Sequence, residues 1–461
     1  MPLCLSPNVG WKPLVNPMRF RPFPPSSVIL PVAAALSGGF AWSPLGLFAL
    51  LPIFALAYGW AASKRQQIAV IIGYYLGALW SLNGVFDGFW PNASPWVGWA
   101  GWVGATLLIA VPWMLMVFIG PDTAVMRGLR FFISLLVSAL PPLGAYGLAS
   151  PWIFVSAWFP GAGIAGLVMG ALWISMLAAW AKGMHASYKL NDHTVWGVWH
   201  TRVNNKTRLA DGILAFGAIW AVAANLAYLP PAKPPHWAAV HTNLAGFRGP
   251  VAAPIWMHRQ ARVAQIVHAA ILSNPNHTRI LFPESMDGPQ FHNFLSALMD
   301  NGMASMAREH GDTLLIGADD LANQQGDYTD SLNIMGQYHG RISARQPAPF
   351  GEWRPWGRHT ALADWWHFGG YQIGKESVAW AVCYEQMLVW PIAWNFLGDG
   401  HKPSVLLAPS DHDWARGIME PAVQKQALMA WARLYQIPEL YANDGPQKPK
   451  HSRSNPLEKR Q

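Results

Sequence analysis

Charge and cysteine are both scarce in this sequence. Charged residues make up 12% of its 461 residues, about half the share of roughly a quarter that globular chains carry. This low share of charged residues indicates that at least part of the chain lacks the composition of a soluble protein. Only two cysteines occur, Cys4 and Cys383, and the membrane topology argued below puts them on opposite sides of a bilayer, which excludes a disulfide between them.

Motifs for nucleotides, cofactors and metals are also missing. The sequence has no GxxxxGKS/T phosphate loop and no strand followed by a glycine-rich dinucleotide fingerprint. Its histidines lack the regular spacing of metal ligands. We therefore expect no cofactor and no metal. The net charge of +8 is explained by membrane orientation, so no direct nucleic-acid binding is expected.

Long apolar runs fill the first half of the chain. Most approach the ~20 residues that a helix needs to span a bilayer, and 27 tryptophans suit membrane interfaces. We predict a polytopic α-helical membrane domain of about seven spans over residues 1–233. The first run is short and contains Pro31, so it either crosses alone or forms a hairpin with the second. The runs are 28–40, 45–62, 68–86, 96–120, 131–150, 158–181 and 212–229.

Lysine and arginine concentrate in alternate loops between these runs. They precede the first run and follow the second, fourth and sixth, as at Lys64, Arg127 and Lys182. Because basic loops stay in the cytoplasm, the amino terminus is predicted to be cytoplasmic. The chain would then leave the seventh run on the periplasmic side of a bacterial inner membrane. This parity requires that residues 28–40 cross the membrane.

A proline-rich linker at 230–235 separates two different compositions. It is stiff and cannot continue a helix. After it, short apolar strands, as at 313–317 and 331–335, alternate with helical patterns, as at 423–435, which is typical of an α/β domain. We place this domain at 234–446. The tail at 447–461 is basic and polar, and we expect it to be disordered.

Residues that could act in catalysis follow two of the predicted strands. Cys383 follows the apolar segment 378–382, and Glu284 follows the segment 279–283. A glutamate can activate a thiol by taking its proton. The backbone N–H groups just past the cysteine can face a developing oxyanion. For the cysteine alone, a packed core sulfur is the alternative.

Three motifs carry a resemblance to known families: LFPES at 281–285, CYEQ with VWP within 383–391, and AWARL at 430–434. The second half resembles the nitrilase (carbon–nitrogen hydrolase) superfamily. The whole chain resembles apolipoprotein N-acyltransferases and, more closely, their relatives, the TraB-type conjugal transfer proteins. The resemblance implies a four-layer α-β-β-α sandwich. It also implies acyl transfer or amide hydrolysis through a cysteine thioester, with a membrane lipid as acyl donor and conjugation or envelope proteins as partners.

The resemblance also assigns roles to individual residues. It implies that Cys383 is the nucleophile and that Glu284 is the base. The N–H of Tyr384 would help to hold the oxyanion. Glu352, in a Pro-Phe-Gly-Glu turn, matches a second acidic residue of the acyltransferases; a solvated turn carboxylate is the alternative.

The lysine of the nitrilase family is missing. Its position holds Ala344. Arg345 keeps the charge, but an offset of one residue on a strand turns a side chain to the opposite face unless a bulge restores it. Arg341 is a second candidate cation. No final membrane helix is predicted after Gly445, unlike in the acyltransferases. Two hypotheses follow: an acyl-transferring enzyme, or a catalytically silent nitrilase-fold accessory protein of the conjugation machinery.

Overall fold

Helices form the first part of the chain and a mixture of strands and helices forms the second. The computed structural model describes residues 26–90, 92–94, 96–190, 205–244, 253–275, 277–290, 294–398, 401–415 and 417–445. Cys4 and the predicted disordered tail lie outside these residues. The helices of the first part are α1 Ser26–Ala41, α2 Pro52–Trp60, α3 Lys64–Ala78, α4 Leu82–Phe89, α5 Trp96–Met116, α6 Ala124–Ala139, α7 Phe154–Trp158, α8 Gly163–Leu190 and α9 Asn205–Ala227.

Three helices of the described part are long and apolar enough to cross a membrane, which indicates membrane association. Their apolar stretches are Trp96–Met116, Gly163–Ala186 and Ala210–Ala227. Other predicted runs form shorter helices. The run 68–86 is divided between α3 and α4, and the run 131–150 leaves its helix at Ala139, just before two prolines that cannot continue it. The count of about seven spans therefore stays a prediction.

The second part contains two sheets, and the segment 230–235 that precedes it carries no helix or strand. In the first sheet the order is β1-β2-β4-β5-β6, with β3 paired to β4, and in the second it is β10-β9-β8-β7. Strands β1, β2 and β4 run parallel, as do β8, β9 and β10. The strands are β1 Trp237–Ala239, β2 Arg279–Leu281, β3 Pro289–Gln290, β4 Thr313–Leu321, β5 Tyr328–Gly336, β6 Gly340–Ser343, β7 Tyr371–Ile373, β8 Glu376–Trp380, β9 Leu406–Asp411 and β10 Glu439–Asp444.

The two sheets pack face to face, and helices cover both outer faces. Neighbouring residues of one strand point to opposite faces, so Leu281 enters the core between the sheets while Ile280 enters a second core under helices α10 (Ala253–Ser273) and α11 (Phe294–Glu309). On β9, Leu407 joins the core between the sheets. Its neighbour Leu406 packs with α13 (Glu420–Tyr435), which follows the short helix α12 (Trp390–Trp394). The predicted alternation of strands and helices is confirmed, in the layer order helix, sheet, sheet, helix.

The helical part and the sheet part share a continuous apolar core. Several hydrogen bonds cross the junction. The Tyr384 hydroxyl donates to the carbonyl of Ala145 at 2.9 Å, and the Trp390 indole N–H donates to the carbonyl of Gly144 at 3.1 Å. The rings of Phe89 and Trp414 are in contact, with centroids 4.5 Å apart. The contact of Phe89 with Trp414 holds α4 beside the segment that follows β9, and α5 packs against α4.

Candidate functional site

A cavity of about 1380 Å³ lies between the helical part and the sheet part. Apolar side chains of α4 and α5 form one wall, including Phe86 and Leu108. The opposite wall contains the thiol of Cys383 and several carboxyl groups, among them Glu284 and Glu352. A mostly apolar enclosure with a few convergent polar groups is the usual form of a small-molecule site.

Cys383 enters this cavity because the chain turns sharply after β8. The residue adopts a φ of 37°, a region that non-glycine residues rarely occupy. A 3₁₀-helix, Cys383–Met387, begins at once, and its first hydrogen bond runs from the Glu385 N–H to the Val382 carbonyl. The N–H groups of Cys383 and Tyr384 precede that bond, so the helix does not use them. Both residues line the cavity.

The buried carboxylate of Glu385 holds this turn in place. It accepts the N–H of Val382 at 2.8 Å and the N–H of Gln346 at 2.8 Å, and it also accepts the N–H of Arg345. Strand β8 is thereby tied to the segment that follows β6. The sequence analysis gave Glu385 no role, although its place two residues after the cysteine in the CYEQ motif was a usable signal.

Glu284 reaches the same cavity from the end of β2. Its loop packs tightly against β4, where Gly317 leaves room for the backbone of Pro283 and Glu284. The side chain is only 2% exposed, and its Oε2 accepts the N–H of Asp411 at 2.9 Å. Its carboxyl group lies close enough to the thiol of Cys383 for each group to shift the pKa of the other. The structure thus brings Glu284 and Cys383 into one cavity wall, and their roles as base and nucleophile stay a prediction.

Burial controls the protonation of this pair. Desolvation raises the pKa of the Cys383 thiol to about 12, the negative charge of Glu352 adds to the rise, and the contact with Glu284 opposes it. Desolvation likewise raises the pKa of Glu284 well above its usual range, and the charges of Cys383 and Asp330 contribute. A neutral thiol is therefore the resting form, and it can react as a thiolate only when a neighbouring group takes its proton.

Glu352 points into the cavity from a turn after β6. Its Oε2 accepts the N–H of Ala348 at 2.9 Å, and burial raises its pKa to about 7, with the charges of Asp319 and Asp411 adding to the effect. The alternative interpretation as a solvated turn carboxylate does not fit this environment.

Arg345 lies apart from the other predicted site residues. Its guanidinium donates to the carbonyls of His367 and Gly369 and stacks on the ring of Trp380, with its Cζ 3.6 Å from the ring centroid. It does not line the cavity. Ala344, at the family's lysine position, packs into the core between the sheets.

The other candidate cation is also outside the cavity. The guanidinium of Arg341 lies 3.8 Å from the carboxylate of Asp320, and its side chain is half exposed. The structure thus brings together Glu284, Glu352, Cys383 and Tyr384, but neither predicted cation joins them. Arg354, which the sequence analysis did not single out, is a basic residue of the cavity lining.

Two further acidic residues of the site were missed by the sequence analysis. Asp330 lies on β5 and is 3% exposed, and one carboxylate oxygen each of Asp330, Glu284 and Glu352 lies within 4.8 Å of the others. Asp411 ends β9 and binds Glu284 through its N–H. The signal for Asp330 was an acid inside an apolar strand, but the predicted strand began one residue later, at Ser331.

The chain is similar in sequence to proteins that are named for conjugal transfer. It is 26% identical over 427 residues to a probable conjugal transfer protein TraB of Sinorhizobium fredii, covering 89% of this chain and 96% of that protein. It is 25% identical over 434 residues to a conjugal transfer protein TraB of Agrobacterium fabrum, covering 90% of this chain and 91% of that protein. No protein-family model matches the sequence. The chain is therefore similar to TraB proteins over nearly its full length.

Proposed function

We propose that this protein acts in conjugal plasmid transfer as a membrane enzyme that cleaves or transfers an acyl group through a thioester on Cys383. The observation that carries the proposal is that the Cys383 thiol and the Glu284 carboxyl group line one wall of a largely apolar cavity and lie close enough to shift each other's pKa. The names of the two relatives support the conjugation context. The layer order of helix, sheet, sheet and helix supports a nitrilase-like α-β-β-α sandwich.

The proposed reaction has two halves. In the first, Glu284 takes the thiol proton while the sulfur of Cys383 attacks the acyl carbonyl carbon, and the N–H groups of Cys383 and Tyr384 hold the oxyanion. The bond to the leaving group breaks, and the leaving group takes the proton from Glu284. In the second, water or an amine gives its proton to Glu284 and attacks the thioester. The sulfur leaves and is reprotonated.

The apolar wall of the cavity supports a lipid as the acyl donor. Helix α5 contributes Gly101, Gly104 and Leu108 to this wall, and it is also one of the three helices that can cross a membrane. An acyl chain could therefore pass from the bilayer to Cys383 along α5 without entering water. The proposal includes a multi-pass protein of the inner membrane with its sheet part in the periplasm, as the distribution of basic residues predicts.

The second candidate is a catalytically silent accessory protein that acts by contacts with other conjugation or envelope proteins. One observation favours it: in the described part of the chain, no lysine or arginine side chain forms an ion pair with Glu284 or Glu352. The pKa of the Cys383 thiol accordingly stays high, at about 12. A protein of this kind would keep the fold and the cavity without using the thiol.

Plasmid transfer frequency distinguishes the two candidates. A donor strain lacking the gene is complemented with the wild type, with Cys383→Ala, or with Cys4→Ala, which removes the other cysteine. The enzyme proposal predicts that Cys383→Ala transfers as poorly as the uncomplemented strain, at equal protein levels in the membrane, and that Cys4→Ala restores transfer. Full transfer by Cys383→Ala would reject the enzyme and leave the accessory protein.

A further inference from the structure

Three buried carboxylates converge beside the cavity from three separate elements. Glu284 comes from the loop after β2, Asp330 from β5 and Glu352 from the turn after β6. One oxygen of each lies within 4.8 Å of the other two. For three atoms that are each 4.8 Å apart, the equidistant point lies about 2.8 Å from each, and small adjustments bring it to the roughly 2.3–2.6 Å of calcium–oxygen bonds.

Two oxygens of this group accept no hydrogen bond from a backbone N–H, a side-chain N–H or an alcohol hydroxyl of the described residues. They are Oε1 of Glu284 and Oδ1 of Asp330, and both side chains are at most 3% exposed. The other oxygen of Glu284 is occupied by the N–H of Asp411. Because a buried polar atom without a partner is costly, these two oxygens indicate a ligand that the protein itself does not supply.

No lysine or arginine of the described residues pairs with the three carboxylates, although Arg354 lines the same cavity. Ala344 presents only a methyl group, and the guanidinium of Arg345 binds carbonyl groups elsewhere. Like charges at this distance in a low dielectric repel strongly. Burial and the neighbouring carboxylates accordingly raise the pKa of Glu284 and of Asp330 well above the usual range.

We propose that Glu284, Asp330 and Glu352 together bind one calcium ion. Three carboxylate oxygens suit a hard cation, and water in the cavity can complete the six to eight ligands that calcium takes. Magnesium requires shorter bonds in a near-ideal octahedron, and zinc prefers nitrogen and sulfur ligands. The ion supplies a positive charge that pairs with the three carboxylates, and by neutralising Glu352 it removes one cause of the high pKa of the Cys383 thiol.

Calcium titration of the full chain tests this site. The protein is purified in detergent, stripped with EDTA and titrated with calcium chloride in a calorimeter. We expect one ion per chain for the wild type. Asp330→Asn and Glu352→Gln should abolish saturable binding, while Glu309→Gln, at an exposed acid near the end of α11, should leave it unchanged. Absence of saturable binding in the wild type, or unchanged binding in both site variants, would overturn the proposal.

Thermal unfolding controls for misfolded variants and for a different cation. Without metal, Asp330→Asn and Glu352→Gln should unfold at the same temperature as the wild type or higher, because each removes a repelling charge. Calcium should raise the unfolding temperature of the wild type alone. If methylammonium raised it and calcium did not, the group would be an amine site and the calcium proposal would be wrong.

The calcium site and the proposed thiol chemistry share Glu284 but are tested through different residues. Cys383→Ala removes any acyl adduct and should still bind one calcium ion. Asp330→Asn should lose calcium while keeping the thiol. Failure of acyl labelling with normal calcium binding would reject the enzyme alone, and the reverse result would reject the calcium site alone.

Discussion

Arg345 was a candidate cation of the site, but in the structure it makes buried hydrogen bonds outside the cavity. Its guanidinium donates to the carbonyls of His367, Gly369 and Pro391 and to the side-chain oxygen of Asn395. These acceptors surround the planar guanidinium group. One ammonium group, with three N–H donors, could not donate a hydrogen bond to each of them. Burial lowers the pKa of Arg345 to about 10, so the charge persists at neutral pH.

Replacement of this arginine should therefore affect stability rather than reactivity. We expect Arg345→Lys to lower the free energy of unfolding by at least about 2 kcal/mol, since buried carbonyls lose their donors. Urea unfolding followed by tryptophan fluorescence measures the loss. Arg354→Lys, at a half-buried arginine whose guanidinium donates to the His359 carbonyl at 3.2 Å, should change stability little. Normal stability of Arg345→Lys with loss of Cys383 reactivity would show a chemical role instead.

Buried acids near the cavity make stability depend on pH. Burial raises the pKa of Glu352 and of Asp411 to about 7, whereas an unfolded carboxyl group has a pKa near 4. The folded state holds these protons more tightly, so this stabilisation is complete below about pH 4 and is lost as the pH rises to about 7.

The unfolding temperature in EDTA should accordingly be higher at pH 5 than at pH 8. Scanning fluorimetry at half-unit pH steps measures the difference. Asp411→Asn should flatten the slope between pH 4 and pH 7, because its amide oxygen can still accept the Asp413 N–H without titrating. A slope of the opposite sign would contradict the assigned pKa shifts.

At the scale of elements, one glycine positions the Glu284 loop. A Cβ on Gly317 of β4 would lie 2.5 Å from the Cα of Glu284, closer than real contacts allow. Gly317→Ala should therefore displace Glu284 and slow the acylation of Cys383 even where the fold survives. Labelling with an acyl probe measures the effect. Gly302→Ala changes an exposed residue of α11 with open space around it. It should leave labelling unchanged and stabilise the helix by up to about 1 kcal/mol. Equal labelling of the two variants would contradict this.

The sequence predicted best those helices and strands whose apolar residues recur at a regular spacing. Strand β4 begins at Thr313 as predicted, and α13 ends at Tyr435 as predicted. Strands β3 and β7 were missed, because with two and three residues they are too short for a pattern. The carboxylate group was missed for a different reason. Asp330 meets Glu284 only after β4 and β5 pair in space, and no local pattern records that pairing.

At the scale of the whole molecule, the cavity belongs to both parts of the chain. Apolar periodicity identified α5 as a span, but nothing in the sequence indicated that α5 would form a wall opposite Cys383. Three helices of membrane-spanning length were recognised from composition. The lengths of the shorter helices were overestimated, because the apolar runs continue through the turns that follow them, as after Ala139.

A bulky residue in the apolar wall tests whether this wall accepts an acyl chain. Gly104 lines the cavity and has open space where its Cβ would be. We expect Gly104→Trp to block labelling of Cys383 by a long-chain acyl ester and to spare labelling by an acetyl ester. Gly212→Trp, at an exposed glycine of α9 outside the lining, is the matched control and should label with both. Equal loss of both probes in Gly104→Trp would point to misfolding instead.

The central claim is that Glu284 makes Cys383 an acyl acceptor. The most direct measurement is mass spectrometry of the peptide that contains Cys383, after intact membranes are exposed to a lipid-like acyl ester. The account predicts a thioester adduct on Cys383 in the wild type, little adduct in Glu284→Gln, and none in Cys383→Ala. A wild-type thiol that reacts with a small maleimide but never carries the acyl group would contradict the account and leave a cavity without thiol chemistry.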